Sequence, residues 1–110
     1  RVIPEFAKGP IFGPIAHGAD VGETVLYDAS AGLITISAPL TPGVANEGDF
    51  FKVKDIFGGV APAGVTVSGN GSPIEAPGGG GIAASQAIGA TASIGVKWVY
   101  WLGVWRIIPT

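Results

Sequence analysis

The sequence predicts an all-β fold: an antiparallel β-sandwich or jelly roll of about seven or eight short strands, with an extended N-terminal arm. Short segments rich in β-branched and aromatic residues alternate with polar ones, and turns rich in glycine and proline separate them. The 110 residues contain 19 glycines and 9 prolines but no cysteine, and 47% are hydrophobic. This length suits a single core. We therefore expect one β domain over residues 19–110, preceded by the arm over residues 1–18.

The predicted arm is punctuated by Pro4, Pro10 and Pro14, with glycines between them. Proline lacks a backbone N–H and disfavours helix in the residue before it, so this segment should be extended. Its large side chains are too apolar for a solvated tail. We expect the arm to lie either on its own domain or on a neighbouring subunit, through Val2, Ile3, Phe6, Ile11, Phe12 and Ile15.

The middle of the chain reads as a series of short strands. Residues 23–28 and 33–38 are separated by only four residues, which predicts a hairpin. Alternation also predicts strands at 50–55 and 65–68 and a short edge strand at 72–76. The Gly/Ala-rich stretch 77–90 is predicted to begin as a flexible loop, holds at most about two turns of helix, and has no assigned role. The strand that continues through Trp98 is expected to start near residue 91.

The closing segment, residues 96–108, predicts a hairpin that turns at Leu102 and Gly103, because glycine tolerates positive φ. That turn pairs Trp101 with Val104, Tyr100 with Trp105, Val99 with Arg106 and Trp98 with Ile107. Side chains alternate along a strand, which gives the hairpin two faces. The core face comprises Trp98, Tyr100, Trp105 and Ile107, and the other face comprises Lys97, Val99, Trp101, Val104, Arg106 and Ile108.

The residues that carry chemistry are few, and we predict no catalytic, cofactor or metal site. His17 is the only histidine and should be solvated or capping. The acids are scattered; Asp49 and Asp55 stay open as a pair, although strand-end acids are commonly solvated. The glycines at 78–81 lack the Lys-Ser/Thr of a phosphate loop.

Charge and hydropathy narrow the possible partners. Only 13% of residues are charged and the net charge is −2, which argues against nucleic-acid binding. No apolar run reaches the roughly 20 residues that span a bilayer, so no membrane partner is expected. No charged segment followed by an apolar one opens the chain, so we expect no retained secretion signal. So few charges favour burial between subunits, and we expect a homo-oligomer, dimer or trimer.

The second half of the chain resembles small virion proteins of tailed bacteriophages. The resemblance rests on residues 48–55 (GDFFKVKD), 65–71 (VTVSGNG), 72–75 (SPIE), 97–100 (KWVY) and 105–108 (WRII). In such proteins a strand ending in Asp leads to a Gly-rich turn, a paired strand and an aromatic hairpin ending in Trp-x-Ile. The overall pattern is most similar to the capsid decoration, or cement, proteins of short-tailed phages.

This resemblance implies a non-enzymatic subunit on the outer surface of the capsid that bridges major capsid proteins. From the apolar arm and the outer hairpin face we expect the contacts to fall on Val2, Ile3, Phe6, Ile11, Phe12, Val99, Trp101 and Arg106. Two alternatives remain open: the tip of a head fibre or tail spike that binds a host-surface glycan, and a free-standing carbohydrate-binding module. In the second, Trp101 would stack on a sugar ring.

Overall fold

A computed structural model describes residues 3–40, 45–56, 64–77, 81–88 and 95–108, and these residues form 11 β-strands in two sheets. The all-β prediction is therefore confirmed, with more strands than expected. The strands are β1 Phe6–Phe12, β2 Ile15–Gly18, β3 Glu23–Asp28, β4 Ile34–Ser37, β5 Phe50–Asp55, β6 Val65–Ser68, β7 Ile74–Glu75, β8 Ile82–Ala83, β9 Ser85–Ile88, β10 Val96–Trp101 and β11 Val104–Ile108.

The larger sheet has seven strands in the order β1-β3-β5-β10-β11-β7-β8, and the smaller has four in the order β2-β4-β6-β9. The two sheets share one core. Val25 and Phe51 of the larger sheet and Ile34 and Val67 of the smaller sheet belong to the same buried cluster. Strands β3 to β6 alternate buried and half-buried residues, as expected where one face of each sheet is covered.

Two sheets that share one core agree with the predicted β-sandwich. The first six strands are parallel within each sheet, however, so the predicted antiparallel pairing is wrong in this half. β1, β3 and β5 pair in parallel in the larger sheet, and β2, β4 and β6 do so in the smaller. The chain crosses to the other sheet after each strand, so it winds through three turns of a two-sheet solenoid. A strand that returns to its sheet after a full turn runs in the same direction as its predecessor. Antiparallel pairs join β10 to β5 and to β11, β9 to β6, and β8 to β7.

The predicted hairpin between residues 23–28 and 33–38 does not form, because β3 and β4 lie in different sheets. The connection bends at Asp28, whose carboxylate accepts the Ser30 backbone N–H at 2.9 Å. It then stacks on the connection of the preceding turn, where Gly13 and Gly32 meet backbone to backbone. A Cβ on either glycine would overlap the other segment. Glycine at both positions therefore lets successive turns stack, which gives a corner instead of a hairpin.

The described part of residues 1–18 is not a separate arm. It supplies β1 and β2, the edge strands of the two sheets, so this segment folds on its own domain. Proline is tolerated on an edge strand because a missing N–H can face away from the ladder. Pro10 lies where the register of β1 shifts, between Lys8 and Ile11, and Pro14 lies between the two strands.

The alanine-rich segment forms strands where the sequence also allowed a short helix. Residues 82–83 and 85–88 are β8 and β9, on separate sheets. The predicted edge strand near residue 74 is β7, which lies between β11 and β8 and so is internal. Residues 78–80 of the predicted loop and the expected strand start at 91–94 lie outside the described residues.

Candidate interaction surface

The closing hairpin has the predicted register. Trp101 pairs with Val104, Tyr100 with Trp105, Val99 with Arg106 and Trp98 with Ile107. At the turn, Leu102 has φ of 53° and Gly103 of 78°. Two central residues with positive φ are the mark of a tight hairpin turn that follows the twist of the strands. The Glu47 carboxylate accepts the Leu102 N–H, at 3.2 and 3.0 Å, and holds the turn in place.

The inner face of the hairpin is an aromatic cluster in the core. Trp98 and Trp105 are fully buried, as is Phe51 of β5. The Phe51 ring stacks on Trp98, with centroids 5.2 Å apart, and meets Trp105 edge-on at 5.1 Å. Tyr100 and Ile107 are half-buried and pack against this core. The predicted core face is therefore confirmed.

Both buried indoles have hydrogen-bond partners. Trp98 Nε1 donates to the Glu75 carbonyl at 3.0 Å, and Trp105 Nε1 donates to the Gly69 carbonyl at 3.1 Å. A buried donor without a partner would cost about 1–3 kcal/mol. These bonds also join the hairpin to the segments on either side of the 70–73 turn. The two indole N–H groups of the inner face therefore both bond to carbonyls within the protein.

The opposite side of the hairpin is a half-exposed surface that β5 extends, because β5 pairs with β10. Trp101 is 50% and Ile108 44% exposed. Arg106 Nε donates to the Trp101 carbonyl at 3.0 Å, which lays the arginine stem across the hairpin. We call this surface the outer face; its members are Phe50, Lys52, Lys54, Lys97, Val99, Trp101, Val104, Arg106 and Ile108.

Sequence reasoning identified the hairpin half of the outer face but missed the contribution of β5. Alternation within residues 50–55 places Lys52 and Lys54 outward, yet nothing local indicates that β5 lies beside β10. In the structure Lys52 is directly opposite Lys97, and Phe50 is opposite Val99. The Phe50 ring lies under both ammonium groups, 4.5 Å from Lys97 Nζ and 5.7 Å from Lys52 Nζ. The three side chains form one basic-aromatic unit.

The described contact residues that were expected near the N terminus lie away from the outer face. Phe6 is 40% and Phe12 56% exposed, whereas Ile3 is half-buried and Ile11 packs against the core. β3 and β5 separate β1 from β10, roughly 14 Å at the usual strand spacing. The structure therefore gives two separate exposed areas, one on β1 and one on the closing hairpin. Val2 lies outside the described residues.

His17 is not solvated, contrary to expectation. Its Nε2 lies 2.6 Å from Oε2 of Glu23, a carboxylate with no exposed surface, and the His17 side chain is 14% exposed. Oε1 of Glu23 accepts the Asp20 N–H at 2.9 Å. β2 carries the histidine and β3 begins with the glutamate, so the pair ties the first solenoid turn to the second. Both carboxylate oxygens are used, which indicates a structural role.

Asp49 and Asp55 are both buried, so the expectation of solvated acids is wrong for them. They are not a catalytic pair either, because they flank opposite ends of β5, roughly 20 Å apart. Asp49 Oδ2 accepts the Asn46 N–H at 2.9 Å. Asp55 is opposite Tyr27 in the sheet. Burial of the phenol, and next the negative charge of Asp55, raise the pKa of Tyr27 well above its usual range.

A pocket of about 420 Å³ lies beside β6, β7 and β8, and no residue that lines it is charged. Its polar groups bond within the protein. Ser68 Oγ accepts the Asn70 N–H, Asn70 Nδ2 donates to the Ala38 carbonyl, and Ser72 Oγ lies 3.2 Å from the Tyr100 hydroxyl. We assign this pocket no ligand.

The residues that the structure describes contain no cluster of three or more His, Cys, Asp or Glu side chains that could hold a metal ion. None of them forms a helix long and apolar enough to cross a membrane. No protein-family model, curated protein or solved structure matches the chain.

Proposed function

We propose that this chain is a structural, non-enzymatic subunit of a bacteriophage virion, located on the outer surface of the capsid and bridging major capsid proteins. The observation that carries the proposal is the outer face, where Trp101 and Ile108 stand about half exposed on a rigid antiparallel sheet. Large exposed apolar patches commonly mark interaction sites. The resemblance of the second half of the chain to virion proteins supplies the context.

In this role, each bound subunit would add a small increment to the stability of the capsid shell. A ligand that binds the assembled shell but not its dissociated parts stabilises the assembly, by an amount that grows with the logarithm of the free ligand concentration once this exceeds the Kd. Many identical weak contacts, repeated over a lattice, give strong retention without a deep pocket. Phe6 and Phe12, at the far edge of the larger sheet, offer a second contact area. One subunit with two separate areas could bridge two neighbours, or join copies of itself in a dimer or trimer.

A second candidate is the tip of a head fibre or tail spike that binds a glycan on the host surface. The observation that favours it is again Trp101, because an exposed indole on a flat sheet can stack against a sugar ring. The cross-strand neighbour of Trp101, Val104, counts against this candidate. Val104 adds apolar area but provides neither stacking nor a hydrogen bond. A capsid contact uses the whole outer face, whereas a sugar would use only part of it.

The copy number on purified particles tests the proposal. We expect hundreds of copies per virion, measured by quantitative mass spectrometry against the major capsid protein. Particles that lack the protein should release DNA at a lower temperature, or sooner on chelation, than complete particles. A handful of copies per particle would contradict decoration and favour the fibre or spike tip, and absence from the particle would contradict both.

A further inference from the structure

The cations of the chain are gathered on one surface. The described part of the chain has five lysine and arginine residues, and all but Lys8 point outward from β5, β10 and β11. The outward positions of these three strands hold no acid. Glu5 meets the edge of the surface through an ion pair with Lys52, 3.1 Å between Nζ and Oε1. A chain whose net charge is −2 thus presents a locally positive face.

This arrangement carries an electrostatic cost in the free protein. Lys52 and Lys97 are directly opposite each other on neighbouring strands, and like charges so placed are destabilising. Glu5 offsets the charge of Lys52. Among the described residues, Lys97 contacts the face of the Phe50 ring and no carboxylate. An approaching negative group would relieve the repulsion, so the face favours an acidic partner.

The apolar part of the outer face indicates what kind of acidic partner fits. Trp101, Val104 and Ile108 lie among the cations, and Leu102 at the turn is 71% exposed. Aromatic and arginine side chains among aliphatic area are typical of protein interfaces. Duplex DNA and acidic polysaccharides offer charge but little to bury against the aliphatic groups. A second copy docked symmetrically through the same face would bring one set of cations towards another.

We propose that the outer face docks on an acidic surface of another protein, through Trp101 at its turn end and the cations Lys52, Lys97 and Arg106 in the adjoining rows of the sheet. This rests on the function proposed above, which makes the acidic surface part of the capsid shell. Charged side chains that face an oppositely charged partner act strongly on the association rate and its dependence on salt. Apolar contacts such as that of Trp101 act mainly on dissociation.

The test measures binding of the purified protein to shells that lack it, over a range of salt concentrations. Lys97→Gln and Lys97→Glu remove and reverse a charge on the outer face, and Lys8→Gln and Lys8→Glu make the same changes on β1. We expect Lys97→Gln to weaken binding about fivefold at low salt, and Lys97→Glu to weaken it more. Both losses should shrink as salt is raised. The Lys8 variants change the net charge equally but lie outside the outer face, so they should weaken binding less than the Lys97 variants at low salt.

The possible outcomes separate this inference from the proposed function. If the unaltered protein binds shells but Lys97 and Lys8 variants are equally effective, the acidic-partner inference is wrong and decoration stands. If the unaltered protein does not bind shells, both are wrong. Heparin and duplex DNA serve as probes of the other anionic classes. Tighter binding to either of them than to shells would also overturn the inference.

Discussion

The two faces of the closing hairpin are built from similar residues but have opposite surroundings. Trp98 and Trp105 point inward, have no exposed surface, and donate their indole N–H groups to backbone carbonyls. Trp101 points outward and is half exposed. Strand alternation separates the two sides, and the smaller sheet covers only one of them. The difference shows that one residue type has two uses in this hairpin. A tryptophan on the inner face stabilises the fold, whereas a tryptophan on the outer face remains available for a partner.

The largest expected effect is that of Trp105→Ala, which should lower the free energy of unfolding by about 3–5 kcal/mol. The change removes an indole that packs against Phe51 and Tyr100 and leaves the Gly69 carbonyl without its donor. Denaturant unfolding followed by circular dichroism measures it. An unfolding midpoint equal to that of the unaltered protein would show that the inner face does not stabilise the fold as described.

A smaller loss is expected from His17→Ala, about 1–3 kcal/mol, because the buried Glu23 carboxylate would lose one of its partners. The contact joins β2 to β3 and includes no residue of the outer face, so it should matter for stability alone. Capsid binding below the unfolding transition should not change. A folded His17→Ala protein of undiminished stability would contradict the structural role assigned to the pair.

Tyr27 should make stability depend on alkaline pH. Its pKa in the folded protein is raised, so the unfolded chain loses this proton first. The contribution of Tyr27 is therefore complete below the unfolded pKa of about 10 and declines as pH rises above it. Unfolding free energies measured between about pH 9 and pH 11 should fall less steeply for Tyr27→Phe. Parallel curves for the two proteins would show that burial beside Asp55 does not hold the phenol protonated.

The hairpin could be predicted from the sequence because everything that defines it is local. Leu102 and Gly103 set the turn, and the turn sets every pair up to Trp98 with Ile107. The solenoid could not be predicted in this way. Its pairs join residues far apart in sequence, such as Thr24 with Lys52 and Ile34 with Val65. The alternation that marks Thr24 and Lys52 as outward is the same for parallel and antiparallel neighbours.

Only the hairpin half of the candidate surface could be predicted from the sequence. The hairpin residues Val99, Trp101 and Arg106 follow from alternation, and the structure places them together on the outer face. Phe50 and Lys52 join them only because β5 pairs with β10, and no sequence signal gives that pairing. The prolines of residues 1–18 suggested an extended arm outside the β domain because they argue against internal strands. They do not argue against edge strands, which is what β1 and β2 are.

Trp101→Ala tests most directly the claim that the outer face binds while the inner face stabilises. The measurement is occupancy of shells by the variant, with its unfolding midpoint determined on the same preparation. We predict an occupancy reduced by at least about tenfold and a free energy of unfolding within about 0.5 kcal/mol of the unaltered protein, as for an exposed side chain. Undiminished occupancy, or a loss of stability like that of Trp105→Ala, would contradict the account.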